Sequence, residues 1–477
     1  MDGRGLSVYV AANRLFLDFS LKDNTPATLD GLPTPQRRWA IVTVGLAIFI
    51  SIIDQTIVNV ALPTIGSDLG IDASSSVWVV NAYQVAIMLS LLPLASAGDI
   101  LGYKRVYLTG LGLFGCASLG CALAPSLLML TLMRIIQGLG AAGVMSVNMA
   151  LVRFIHPINR LGHGIGINAV IIAVSAAAGP TIASSILAIA PWPWLFAINV
   201  PISIAAVTIG IYALPQTPRT SHAFDVVSAL LNAVTFGTLI IFLHALSEPT
   251  APAVLAGEAA LTLVSGVVLY RRQMRMALPL LPVDLLRLPM FALSVATSTC
   301  SFTGQTLALV ALPFHLHNLG YSAVDIGLLI TPWPIGTAVL APIAGKLSDR
   351  YPAGLLGLLG LAVFATGLAA LALLSGHAST WDIVWRMALA GAGFGLYQSP
   401  NNRTMQASAP RARSGGASGM QAMARLLGQT LGAAFTALAL ARLSSGPLAA
   451  VWAGAFFAAL GAIVSAIRLM ELPQPKE

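Results

Sequence analysis

A ten-residue phrase occurs twice in this chain, and the repetition limits what the chain can fold into. Residues 54–63 read DQTIVNVALP and residues 304–313 read GQTLALVALP, identical at six of ten positions and 250 residues apart. The register persists beyond the phrase. Leu69-Gly70 returns as Leu319-Gly320, and Asp99 returns as Asp349. Two apolar halves cut from one template are the pattern of secondary transporters, whose repeats rock about a site near the mid-membrane. One difference matters as much as the match: Asp54 has Gly304 as its counterpart. An ionisable group in a shared pathway is therefore carried by one half only.

The solvent follows from composition. Apolar residues make up 57% of the chain and charged residues 9%, against roughly a quarter charged in a soluble domain. Apolar stretches of about twenty residues recur, the length that crosses a bilayer as a helix. The expected fold is an all-α membrane protein with fourteen transmembrane helices. Residues 39–62, 77–98, 106–123, 127–152, 164–189 and 195–213 supply a first six-helix bundle. Residues 224–246 and 254–270 supply two extra helices. Residues 291–316, 326–345, 354–374, 381–398, 419–441 and 450–468 supply a second, pseudo-symmetric bundle. At about twenty residues plus a loop per span, 250 residues hold roughly eight helices, so the second copy opens on the ninth. The chain divides into a tail (1–37), a bundle (38–213), a linking segment (214–290), a second bundle (291–470) and a short tail (471–477).

Charge gives the orientation. Of the 25 Lys and Arg residues, all but Arg134, Arg386, Arg425 and Arg442 fall in loops, tails and helix ends on one side. By the positive-inside rule that side is the cytoplasm, and both termini lie there. Trp78, Trp192, Trp194 and Trp381 mark outer helix ends. The net charge of +8 is spread between spans, so it does not form a nucleic-acid surface. Residues 1–37 lack an apolar core and read as a cytoplasmic tail, not a signal peptide. Cys116, Cys121 and Cys300 all lie in apolar segments, which implies no disulfide framework. The longest loop, residues 271–290, is too short to be a soluble domain.

The chemistry then rests on polar residues inside spans, which are costly there and usually face a cavity or a partner. Asp54 lies about eight residues, or roughly 12 Å, below the outer end of the first span. Arg134 lies near the same depth in the fourth, so an ion pair between them is expected. Desolvation raises a carboxyl pKa and a neighbouring Arg lowers it. A rocking motion that alters either term lets Asp54 bind a proton in one state and release it in the other. Asn59, Asn81, Gln84, Gln137, Asn168, Gln305, Tyr397 and Gln421 either line the cavity or join helix to helix. Phe302, Trp333 and Phe394 offer a surface to aromatic substrates or pack a core. In GDILGYKRVY (residues 98–107), Gly102 permits a tight turn and Asp99 can attract Lys104 or Arg105 as an inner gate. Its counterpart, GKLSDRYP, carries Asp349 and Arg350. Gly179 and Pro180 bend the fifth helix and admit a neighbour. There is no Gly-rich nucleotide loop followed by Lys-Ser/Thr, no metal-ligand cluster and no catalytic cluster. A cofactor, ATP and enzymatic activity are therefore not expected, and the proton gradient is the expected energy source.

IDQTIVNVALP (residues 53–63), GDILGYKR, RIIQGLG (residues 134–140) and AGP in the fifth helix together resemble the major facilitator superfamily, specifically its fourteen-span drug:proton antiporters. WLFAINVP (residues 194–201) and PLLPVDLL (residues 279–286) are also similar to that subfamily. Ala95, Ile100, Ala183 and Ser184 depart from its usual residues. The resemblance implies the major facilitator fold in a bacterial inner membrane. It implies export of amphipathic drugs, most readily hydrophobic cations, in exchange for protons. Asp54 would carry the proton, Arg134 would tune it, and the loop phrase would lock the inner gate. Export of a dedicated metabolite, such as a siderophore, an antibiotic or a peptide-like compound, is the other reading. The expected partners are the substrate, protons and lipid, and nothing in the sequence speaks for or against a periplasmic adaptor.

Overall fold

The computed structural model describes residues 31–157, 161–217, 219, 224–246, 250–276, 279–348, 350–374, 379–410 and 414–470. The tails expected over residues 1–37 and 471–477 lie almost wholly outside these. Fourteen long helices account for nearly all of the described chain. In the first half they are α1 (Thr34–Leu69), α2 (Ala73–Leu101), α3 (Tyr103–Ala122), α4 (Leu127–Ile155), α5 (Leu161–Ile189) and α6 (Trp194–Ala213). Next come α7 (Val226–Ala245) and α8 (Pro252–Gln273). The second half contributes α9 (Pro289–Asn318), α10 (Ala323–Leu347), α11 (Ala353–Ala372), α12 (Thr380–Ser408), α13 (Ser414–Arg442) and α14 (Gly446–Met470). Thirteen are long and apolar enough to cross a membrane. The fourteenth, α12, runs 29 residues but carries Asp382, Arg386 and Gln398 within its length and Asn401, Asn402 and Arg403 near its end, which lowers its apolar character. It packs along α10 and α11 as its counterpart α4 packs along α2 and α3.

The duplicated Leu-Gly is a helix stop. Gly70 and Gly320 take φ values of 64° and 90° after α1 and α9, a conformation that a β-carbon disfavours. Two residues later each half restarts on a side-chain cap. Asp72 accepts from the Ser75 amide at 3.0 Å, and Ser322 accepts from the Asp325 amide at 3.2 Å. Burial works to raise the Asp72 carboxyl, but the Ser75 hydroxyl and the capped amides hold it below its usual range. Breaks in α6 and α10 fall at Ile198 and Thr331, just before Pro201 and Pro332, which have no amide hydrogen for the helical ladder.

The two bundles repeat one another pair for pair. In the first, α1 packs on α5 and α6, α2 on α4, and α3 on α4 and α6. In the second, α9 packs on α13 and α14, α10 on α12, and α11 on α12 and α14. Glycine sets the closest approaches. A β-carbon on Gly140 would fall 2.5 Å from the Phe114 amide, and one on Gly393 would fall 2.4 Å from the Phe364 amide. The bundles meet along α1–α9, α2–α13 and α5–α10. Among the described residues, bonds that join them run from the Ser74 hydroxyl to the Ala437 carbonyl at 3.1 Å and between Thr181 and Thr331 at 2.9 Å. Both lie in the half of the molecule remote from the start of α1 and the end of α14.

The linking pair covers only one seam. Helix α7 lies on α2 and α13, and Asn232 donates to the Leu89 carbonyl at 3.1 Å. Helix α8 packs chiefly on α7, clamped by Arg272 to Asp225 at 2.9 Å and to Ser228 at 3.1 Å. Burial works to raise the Asp225 carboxyl, but Ser228 and Arg272 outweigh it and hold the group below the ordinary carboxylate range.

Candidate functional site

Helix α1 presents Asp54 to the interior of the first bundle, flanked by buried Ile53, Ile57 and Val58. Arg134 and Gln137 are one turn apart on α4 and so share a face. The break in α6 delivers Asn199 from the other side. The Asp54 carboxylate accepts from Arg134 Nη1 at 2.5 Å, Gln137 Nε2 at 2.9 Å and Asn199 Nδ2 at 2.9 Å. Arg134 also donates to the Val79 carbonyl at 2.8 Å and to Gln137 Oε1 at 2.6 Å. Gln137 is fixed in turn by Ser118 Oγ of α3, at 2.8 Å. The guanidinium lies 4.2 Å from the centre of the Tyr83 ring and 5.6 Å from that of Phe196.

This pair is sealed. Asp54 is 0% exposed and Arg134 1%. Both charges are matched and multiply bonded, the condition under which a buried pair holds together. Removing one partner strands the other, at a cost of about 3–5 kcal/mol. The pair can therefore work as a two-state element. The carboxylate is the charge that holds Arg134, and helices α1, α2, α3, α4 and α6 all contribute a group to this network.

The other polar residues divide. Asn81 and Gln84 of α2 are buried with their carbonyl oxygens unpaired, and the half-buried Asn59 of α1 has an unpaired Oδ1. Gln305 of α9 is half-buried, as is its repeat counterpart Gln55, whose amide nitrogen has no partner. Gln137 belongs to the ion pair. Asn168 of α5 accepts from Asn148 Nδ2 of α4 at 3.2 Å, a bond that joins helices of the first bundle. Phe302, Trp333 and Tyr397 pack inside the second bundle instead of lining a wall between bundles. The Phe302, Phe364 and Tyr397 rings all lie edge-on to Phe394 at 5.3–5.5 Å, and Trp333 meets Phe364. Ser301 donates to the Tyr397 hydroxyl.

At the loop phrase, Gly102 turns with a φ of 94°. Asp99 accepts from the Tyr103 hydroxyl at 2.6 Å. Lys104 does not pair with Asp99; its Nζ donates to the Ile211 carbonyl of α6 at 2.6 Å, while Arg105 is exposed. The expected attraction is thus replaced by a tie from α3 to the end of α6, within reach of the long lysine side chain. Arg350 is exposed, and Asp349 lies outside the described residues. Gly179 lets α5 lie against α1, because a β-carbon there would fall 1.8 Å from Thr56 Oγ1. Pro180 sits inside α5, and its carbonyl accepts from Ser184 at 2.8 Å.

Two partners of the ion pair and one further charged residue are not singled out by the sequence. Asn199 and Ser118 were uncharged residues with no depth or charge argument to single them out. Arg425 of α13 was visible only as a span residue, although Ser418, Gln421, Arg425 and Gln429 recur at helical spacing, a polar stripe along one face. Among the described residues no group of His, Cys, Asp and Glu is arranged to hold a metal ion.

The family model for the Major Facilitator Superfamily matches residues 44–433 and 294–477. The uncharacterized transporter YebQ of Escherichia coli (strain K12) is 52% identical over 448 residues, covering 93% of this chain and 98% of that protein. The riboflavin transporter RibZ of Clostridioides difficile (strain 630) is 30% identical, covering 84% and 88% respectively. The multidrug resistance protein Stp of Mycobacterium tuberculosis (strain CDC 1551 / Oshkosh) is also 30% identical, covering 82% and 74%. Among solved structures, a bacterial homolog of the human lysosomal transporter Spinster superposes with a TM-score of 0.66 at 15% identity, covering 93% of this chain and all of that one.

Proposed function

This chain belongs to the major facilitator superfamily and is a multi-pass membrane transporter, and from that premise we propose that it exports amphipathic small molecules from the bacterial cytoplasm in exchange for protons. The observation that carries the reading is the sealed Asp54–Arg134 pair, present in one bundle and absent from its twin. Asp54 takes the proton from outside and gives it up inside. Arg134 stabilises the charged form, and Gln137 and Asn199 hold the carboxylate in place while it is ionised. The Ser74–Ala437 and Thr181–Thr331 bonds lie remote from the start of α1 and the end of α14, which supports a resting state closed to the outside once those helix ends are placed at the cytoplasmic face. Positive loops favour that placement in the inner membrane.

Substrate charge is a separate matter. The expectation of a cation came from the resemblance to the drug:proton antiporters, and a direct contact with Asp54 would be the simplest way to serve it. With both carboxylate oxygens already bonded and no exposure, that contact has no support in this state. The likeness to RibZ favours a second reading, export of one dedicated compound, and the likeness to Stp favours many.

Dye efflux from cells overproducing the protein tests the scheme. Wild-type efflux should stop when a protonophore collapses the gradient, and Asp54→Asn should show none. Efflux by Asp54→Asn at the wild-type rate would end the proposal.

A further inference from the structure

We propose that Arg425 is the anchor for an acidic group on the substrate, so that the exported compounds are amphipathic organic anions carrying a carboxylate, sulfonate or phosphate. The inference deepens the export reading and rests on it.

Arg425 stands in the middle of α13, which runs antiparallel to α2 across the seam between bundles. Gly419 packs against Leu92 at one end of the contact, and the Ser74 hydroxyl reaches the Ala437 carbonyl at the other. That register sets Arg425 level with Ala86, one turn from Tyr83. Ala86 and Tyr83 are also the residues that Gly138 of α4 abuts. Arg425 is therefore one helix layer from the Asp54–Arg134 pair, with the Tyr83 ring on the Arg134 side.

Its chemistry is unlike that of Arg134. Among the described residues Arg425 makes no ion pair and no hydrogen bond, and it is half-buried, not sealed. The acid of the neighbouring layer, Asp54, is already matched to Arg134, as Asp225 is to Arg272 and Asp382 to Arg386. A lone guanidinium inside a span is retained at a cost, and such residues mark substrate pathways. Neutral amides on α1, α2 and α13 have spare capacity: Gln84 Oε1, Gln429 Oε1 and Gln55 Nε2 are buried without partners. The seam therefore carries the positive charge of Arg425 on helices that also bear unpaired hydrogen-bonding groups. It suits a planar apolar body with one acidic end, held by the bidentate fork that arginine offers to oxyanions. The repeat sharpens the point, because α5 has Ile172 where α13 has Arg425, so the second seam carries no such charge.

Two dye pairs test the charge preference on the purified, detergent-solubilised full chain. Fluorescein and rhodamine 6G share a xanthene ring and differ in charge, and riboflavin 5′-phosphate differs from riboflavin by its phosphate. Binding is read by equilibrium dialysis at fixed pH, so no gradient is involved. The wild type should bind each anion about tenfold or more tighter than its mate, the scale of a charge-assisted contact over a neutral one. Arg425→Gln should erase that preference and Arg425→Lys should keep part of it. The thermal transition of Arg425→Gln should match or exceed that of the wild type, since no partner is lost. Equal binding within each pair, no binding of either anion, or a preference that survives in Arg425→Gln overturns the proposal. A clear fall in the thermal transition of Arg425→Gln also overturns it, by making the residue a structural brace. Efflux abolished by Asp54→Asn without any charge preference would leave the proton reading standing and remove this one.

Discussion

The two bundles share a backbone plan and differ in what fills its centre. Gly140 meets Gly110 and Phe114 in the first, and Gly393 meets Gly360 and Phe364 in the second. Gly138 abuts the Tyr83 carbonyl, and Gly391 abuts that of Trp333. Within that common frame, Asp54, Arg134 and Gln137 of the first bundle correspond to Gly304, Met387 and Ala390 of the second. The first centre is a hydrogen-bonded ion pair. In the second, Gly304 lets the Gly454 carbonyl approach to within 2.7 Å of where a β-carbon would stand, and an aromatic cluster fills the rest. An apolar centre has one packed arrangement, whereas a centre held by charge has a second arrangement available once the charge is cancelled. The proposed coupling therefore belongs to the first bundle, and the second serves as the stiffer partner.

The comparison can be broken from either side. The largest effect is expected from Asp54→Leu, which strands Arg134 and should lower stability by about 3–5 kcal/mol. Adding Arg134→Met makes the first centre resemble the second and should recover most of that loss, as read by thermal unfolding in detergent. A double variant no more stable than Asp54→Leu would contradict the view that the cost lies in the unpaired charge. Next is the glycine contact that both halves share. Gly179→Ala drives a methyl into Thr56 and should cost about 1–3 kcal/mol by overpacking. Thr56→Ala should relieve part of it in a double-mutant cycle, whereas in the second half Gly432→Ala meets the Thr303 carbonyl and the Thr306 Cβ, which Thr306→Ala leaves in place, so no such relief is expected there. Gly70→Ala and Gly320→Ala, at the repeated helix stops, should each cost about 1–2 kcal/mol for forcing an alanine into left-handed backbone.

The smallest effect concerns the linking pair, which the repeat does not include. Arg272 is 39% exposed at the side chain and Asp225 is 20% exposed, so water screens their pair. Asp225→Asn should cost no more than about 1 kcal/mol. Because Asp225 is held below its unfolded range, its contribution is present at neutral pH and is lost as the pH falls through the folded value. The wild type should therefore lose stability on acidification slightly faster than Asp225→Asn. Identical pH profiles would show that the pair adds nothing.

Much of this was legible in the amino-acid sequence, for reasons that can be named. The 250-residue register announced two like bundles, and the equal depth of Asp54 and Arg134 below their helix ends announced the pair. The repeated Leu-Gly is a helix terminator whose backbone only glycine takes up easily. Other features were hidden because one residue type serves two purposes. Phe302, Trp333 and Tyr397 suit a binding wall as well as a core, and only the packing of α11 and α12 decides for the core. Gln137 reads as a cavity donor until Ser118 and Asp54 are brought to it from other helices. Lys104 has two acceptors within its reach, and the end of α6, distant in sequence, supplied the one it takes.

The most direct test of the central claim needs no substrate. A pH-difference infrared spectrum of the purified protein should show a protonated-carboxyl band that grows on acidification in the wild type and is missing in Asp54→Asn. Superimposable bands in the two proteins would mean that Asp54 does not exchange a proton, and the coupling scheme would fail.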